Sequence, residues 1–173
     1  MRRGFDPKTG ETAVEVAKAA EAGGAAMVTV HGRYRTDFYT GNADRQIVKK
    51  VKENIEIPVI LSGDIVDRAS ALSAFEETGC DGIMIGRGAL GDPWIFREIL
   101  ADEDYTPAKE EFLDTIRRQC SMLTAQKGEN TAVREMRKHL SWYFKGMRGA
   151  SQLKKEAFAA NTLADIDALL AKI

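Results

Sequence analysis

Three times in the first hundred residues, a stretch of helical period gives way to a short apolar run. In "ETAVEVAKAAEAGG", Ala13, Val16, Ala17 and Ala20 recur at steps of three and four before Gly23-Gly24, which predicts an amphipathic helix stopped by glycine. "AAMVTVHGR" then carries a β-rich run, Met27 to Val30, closing on His31 and Gly32. The pattern repeats with Ile47, Val48 and Val51 at helical spacing, followed by a strand at Val59 to Leu61 with Pro58 at its start. A third helix is predicted over "DRASALSAFEETG", capped by Asp67 and ended by Gly79, and "DGIMIGRG" supplies the third strand, Ile83 to Ile85. Continuous apolar strands separated by helices imply a parallel sheet covered on both faces.

After Thr106-Pro107, a candidate N-cap and first helical position, no strand-like run occurs. Residues 107 to 126, 130 to 146 and 151 to 172 read as helices, parted at Gly128 and at Gly146 to Gly149. The division is therefore an α/β part over residues 1–100 and a helical part over residues 101–173.

Composition narrows the function classes. With 173 residues, 44% hydrophobic, 29% charged and a net charge of -1, the chain can bury a sizeable core and has no whole-surface attraction to polyanions. Cys80 and Cys120 lie far apart with no His or Cys at ligand spacing, so neither a metal site nor a disulfide framework is expected; both read as packed small hydrophobes. No apolar stretch reaches membrane-spanning length and the first residues lack a leader pattern, so the expected location is the cytoplasm, away from membranes.

The chemistry gathers where strands end: His31-Gly32-Arg33, Ser62-Gly63-Asp64 and Gly86-Arg87-Gly88. In β/α folds, ligand groups collect at the carboxyl ends of strands, and glycine there admits positive φ and close backbone approach. "GRGALGD" can form a phosphate-binding turn to which Arg87 adds a charge-assisted bond. His31 reads as a ligand contact or as a satisfied strand-end histidine, and Asp64 as a site residue or as a cap for the next segment. A second concentration lies in the helical part. Arg134, Arg137, Lys138, Lys145, Arg148, Lys154 and Lys155 face only Glu135, with His139, Trp142 and Tyr143 interleaved. Such cations suit nucleic-acid phosphates, while the two aromatics read as base-stacking platforms or as core.

The segments "MRRGFD", "VTVHGRYRTDFYTG", "IPVILSGDI", "GCDGIMIGRGALGDPWIFREI" and "VREMRKHLSWYFKG" together resemble the tRNA-dihydrouridine synthase family, most closely its bacterial B-type branch. The resemblance implies an α/β fold, the C-terminal part of a (β/α)8 TIM barrel (the tail of strand five and strands six to eight), followed by an all-α helical domain that helps hold tRNA. It implies FMN as cofactor, NADPH as reductant and 5,6-reduction of tRNA uridines, with FMN contacts at His31, Ser62, Gly63, Asp64, Gly86 and Arg87. It also implies tRNA contacts at Arg134, Arg137, Lys138 and Lys145. Ser62 departs from the family's usual Asn-Gly-Asp and loses the amide's reach.

The family's catalytic cysteine and flavin-binding lysine have no counterpart in these residues, so no catalytic residue is assigned here. The expectation is a C-terminal half, inactive alone and prone to self-association unless the other half of the barrel closes it. Two alternatives stay open: a non-catalytic RNA-binding module, and another phosphate-binding TIM-barrel enzyme.

Overall fold

A computed structural model describes residues 1–173, which form two compact units. The first comprises Met1–Ala89 with Ile95–Asp104. Its elements are α1 (Ala13–Ala22), β1 (Val28–His31), α2 (Arg45–Lys52), β2 (Val59–Ser62), α3 (Arg68–Thr78), β3 (Gly82–Met84), a 3-10 turn at Arg87–Ala89, and α4 (Ile95–Ala101). The strands are parallel in the order β1-β2-β3, with His31, Ser62 and Met84 aligned at their carboxyl ends. Met1–Arg3 runs beside β1: the His31 N–H donates to the Met1 carbonyl and the Arg3 N–H to the His31 carbonyl, both at 3.0 Å.

One face of this sheet packs Val28, Val30, Val59 and Leu61 against Ala13, Ala17, Ile47, Val48, Val51, Ala71 and Ala74 of the helices. Each such fully buried Val, Leu or Ile contributes about 2 kcal/mol by leaving water. The other face is only half-covered, because Thr29, His31, Ile60 and Ser62 alternate with the buried positions. The expectation of two covered faces is thus corrected. β3 corrects it further, since Met84 is 50% exposed on the last strand. Val16 also departs from prediction: it stands 47% exposed although it shares the helical period of Ala13 and Ala17. Small alanines let α1 approach the sheet closely, and that approach selects a narrower stripe than the spacing suggested.

The helix ends follow their sequence signals. Asp67 and Ser70 form a reciprocal capping box at the start of α3, which stops at Gly79 in the left-handed conformation. Pattern alone does not reveal α4, a short helix with Phe96 and Leu100 exposed.

The second unit comprises Leu90–Trp94 with Tyr105–Ile173 and holds α5 (Lys109–Lys127), α6 (Glu129–Tyr143), α7 (Ala150–Ala159) and α8 (Leu163–Leu170). Its core is Ile116, Met136, Leu140, Phe144, Ile166 and Leu170. α5 begins two residues later than Thr106-Pro107 implied, with Ala108 at its N-cap. The single final helix of the sequence reading is two. Thr162 accepts from the Asp165 N–H while Asp165 reaches back, so a fresh capping box interrupts the run at Asn161. No helix is long and apolar enough to cross a membrane.

Candidate phosphate-binding cleft

The aligned strand ends place His31, Ser62 and Met84 side by side, and the loops after them close a cleft of about 210 Å³. Six of the nine residues singled out at strand ends, His31, Ser62, Gly63, Asp64, Gly86 and Arg87, line it; Gly32, Arg33 and Gly88 do not. So do Arg2 and Tyr39, which pattern reasoning did not select. Arg2 carried a findable signal: it lies in a strand-like segment beside β1 and therefore at a strand end itself. Tyr39 carried none, because a loop tip has no period.

Local backbone geometry explains the shape. Gly63 has φ 121°, and a Cβ there would sit 2.7 Å from the Ala43 side chain, so only glycine lets the chain turn here. Asp64 next to it holds φ 54°, a conformation that costs a non-glycine residue roughly 1–3 kcal/mol and persists where surroundings over-determine it. They do. Asp64 accepts from Arg33 Nη1 at 3.0 Å and Nη2 at 2.8 Å, from the Ala43 N–H at 2.7 Å, and from Arg87 Nη2 at 3.2 Å. The cap role for Asp64 is thereby excluded, as α3 is capped by Asp67.

Gly86 behaves differently from expectation. It has no positive φ and open space at its Cβ position. The restricted glycine is Gly88, where a Cβ would collide with the Ile65 carbonyl oxygen and lie 3.0 Å from Val66 Cα. Gly88 therefore lets the 3-10 turn nest on the loop after β2, and that contact brings Arg87 beside Asp64.

Electrostatics favour an anion. Among the lining residues Arg2 and Arg87 face one carboxylate, Asp64. Burial pushes the Asp64 carboxyl up, but the Ala43 N–H and the guanidinium of Arg33, with the charge of Arg87, outweigh it and hold it below the usual range. The His31 ring is pushed down by burial and by the charges of Arg2, Arg33 and Arg87 against the opposing pull of Asp64. It is neutral at pH 7. Its Nδ1 accepts the Arg33 N–H at 3.3 Å, which leaves the proton on Nε2 as a donor at the cleft. Ser62 lines the wall half-buried.

In the helical unit the cations divide. Arg134, Lys138 and Lys145 are exposed, Lys138 Nζ sits 5.4 Å from the Trp142 ring centroid, and Glu135 is held by Lys127 at 2.8 Å. Arg137 is otherwise engaged. Its Nε donates to the Ala160 carbonyl at 2.9 Å and Nη2 to Asn161 Oδ1 at 3.0 Å, closing the end of α7. The steps of four and seven that would set Arg134, Lys138 and Lys145 on one helical face do not do so, because Lys145 lies beyond the last residue of α6. Tyr143 is core: it is buried, meets Phe112 edge-on, and donates its hydroxyl to Gln119 at 3.0 Å. Trp142 is half-buried, with His139 edge-on at 5.2 Å. Both cysteines are buried, and burial raises the Cys120 thiol to about 11, so it is no nucleophile.

The sequence profile described as "Dihydrouridine synthase (Dus)" matches residues 1–173. The chain belongs to the dihydrouridine synthase family. It is 40% identical over 159 residues to the "Probable tRNA-dihydrouridine synthase" of Rickettsia conorii, covering 89% of this chain and 48% of that protein. Proteins of the same description from Mycobacterium tuberculosis and Mycobacterium leprae are each 38% identical, over 94% and 100% of this chain and 43% and 46% of their own lengths. The chain spans about half the length of the curated relatives it matches.

Proposed function

We propose that this dihydrouridine synthase chain is the C-terminal half of an enzyme that reduces tRNA uridines to 5,6-dihydrouridine with FMN and NADPH. In this reading residues 1–100 are part of a (β/α)8 barrel and residues 101–173 an all-α domain that holds tRNA. The convergence of six strand-end residues on one positively biased cleft carries the reading. At about 210 Å³ the cleft falls below the usual range for a whole small-molecule site, and suits the phosphate end of a nucleotide whose remainder lies elsewhere. The donor set fits that end: Arg87 and Arg2 supply charge, Gly63 lines the wall without a side chain, and the His31 Nε2–H is a neutral donor.

When bound, FMN supplies a hydride to the pyrimidine ring. This chain's residues anchor the phosphate through Arg87 and keep His31 neutral, so that it donates a hydrogen bond without adding a full positive charge. The catalytic acid and the flavin-binding lysine are assigned to the other half of the enzyme. In the helical unit Arg134, Lys138 and Lys145 remain the tRNA-facing cations; Arg137 does not, since it is spent on α7.

The test uses the full-length protein. It should purify with flavin absorbance and form dihydrouridine in unmodified tRNA when given NADPH. Replacing Arg134, Lys138 and Lys145 together with Ala should flatten the salt dependence of tRNA binding by about two in log–log slope. A colourless protein that binds no added flavin, or one that leaves tRNA unreduced, overturns the proposal.

A further inference from the structure

Arg33 is 3% exposed and lies outside the cleft lining, yet each of its three guanidinium nitrogens donates to the cleft's framework. Nη1 and Nη2 clasp the Asp64 carboxylate, Nε donates to the Thr40 carbonyl at 3.2 Å, and Nη2 also donates to the Gly41 carbonyl at 2.6 Å. Those two carbonyls come directly after Tyr39, whose ring carries the Arg87 guanidinium at 4.6 Å from its centroid. Asp64, on the other side, accepts from Arg87 at 3.2 Å. Arg87 is itself 54% exposed, with a flexible stem that nothing else would hold in one direction.

We infer that Arg33 is a positioning residue: through Asp64 on one side and the Thr40–Gly41 backbone on the other, it fixes the two supports between which Arg87 presents its charge to the phosphate. The inference rests on the FMN reading of the cleft and adds the device that pre-organises it. Pre-organisation lowers the ordering cost of binding, so its loss reads out as weaker phosphate recognition. Lysine keeps the charge but offers a point donor in place of the planar fork, and cannot clasp the carboxylate and reach both carbonyls. Asp64→Asn breaks the same chain without emptying the site: an amide oxygen at the Oδ2 position still accepts from the Ala43 N–H and Arg33 Nη2, while the amide nitrogen opposes Arg33 Nη1 and Arg87 Nη2.

The experiment measures FMN and riboflavin affinity of the full-length protein by fluorescence, for the parent, Arg33→Lys, Arg87→Ala and the double variant. Arg33→Lys should lose about tenfold in FMN affinity, little in riboflavin affinity, and nothing further once Arg87 is already alanine. An undiminished loss from Arg33→Lys in the Arg87→Ala background overturns the inference, since a merely structural residue acts regardless of Arg87. Asp64→Asn serves the same cycle if Arg33→Lys does not fold. A flavin-free crystal structure of Asp64→Asn separates the two levels. Failure of the parent to bind any flavin sinks the cofactor reading, whereas Arg87 leaving the Tyr39 ring in that variant supports the positioning role. Arg87 unmoved in it refutes that role.

Discussion

The cleft and the basic helical surface both concentrate arginine, but they use it in opposite ways. At the cleft, Arg87 in the lining and Arg33 behind it are fixed by a carboxylate, by carbonyls and by a ring, in a frame that Gly63 and Gly88 make possible. On the helical surface Arg134, Lys138 and Lys145 stand exposed, and the one arginine with fixed partners, Arg137, serves the fold. Fixed charge suits a small anion that must be held in one orientation. Free charge suits a long polyanion met through many weak, screened contacts. The difference predicts that breaking the frame of the cleft lowers stability and anion affinity together, while removing the exposed helical cations weakens only binding.

The sharpest break should come at Gly88. Valine there drives carbon into the Ile65 carbonyl and Val66 Cα, backbone atoms that have nowhere to go. It should cost about 3 kcal/mol and displace Arg87, so that thermal stability and anion affinity fall together. Lys138→Ala on the exposed surface should change stability by less than about 0.5 kcal/mol. A Gly88→Val protein melting with the parent would dissolve the contrast.

Within the helical surface the comparison sharpens between two arginines three residues apart. Arg137→Ala removes the bonds that close α7 and should cost about 1–2 kcal/mol. Arg134→Ala should leave the melt unchanged while weakening polyanion binding. Chemical denaturation and RNA titration in parallel decide it; a stability loss at position 134 equal to that at 137 would place both in the fold.

These pairs also mark where sequence reading succeeds. Strand ends were legible because a short apolar run followed by Gly and a polar residue has few folded solutions, and parallel register then brings His31 and Ser62 together automatically. Asp67 and Gly79 were legible because capping is local. The partners of Asp64 were not, since Arg33 and Ala43 meet it across the β1–α2–β2 crossover. Nor was the spatial need at Gly88 as against Gly86, which depends on how the loop after β2 packs. The partners of Arg137 were hidden for a similar reason: charge clustering reports how many cations are near, while the break at Asn161 that gives Arg137 its acceptors comes from Thr162 and Asp165 downstream. The burial of Tyr143 was one of two readings that pattern left open, and its contacts with Phe112 and Gln119 decide it.

Acid should distinguish the two groups at the cleft, with smaller effects than the substitutions above. The Asp64 carboxyl is held below its ordinary value in the folded chain. Its contribution to stability is therefore complete above the unfolded carboxylate value of about 3.9 and fades as pH falls through the lower folded value. His31 is also held down, so folding favours its neutral ring; that contribution is intact above about 6.5 and is lost as pH falls through the folded value. The His139 ring, pushed down by burial and by Lys138 against Glu135, behaves alike in the helical unit. Thermal melts from pH 8 to 3 should thus show an early decline shared by the two histidines and a later one to which Asp64 contributes alongside Glu11, Asp67, Glu77, Asp81, Glu156 and Asp165, whose carboxyls are also held down. His31→Gln should flatten part of the first decline and leave the second. Asp64→Asn should be less stable than the parent at neutral pH and approach it in strong acid, where the parent's carboxylate is protonated too. If the gap between Asp64→Asn and the parent stayed constant down to pH 3, the carboxylate would not be held by Arg33 and Ala43 in its charged form, and the rigid half of the comparison would lose its anchor.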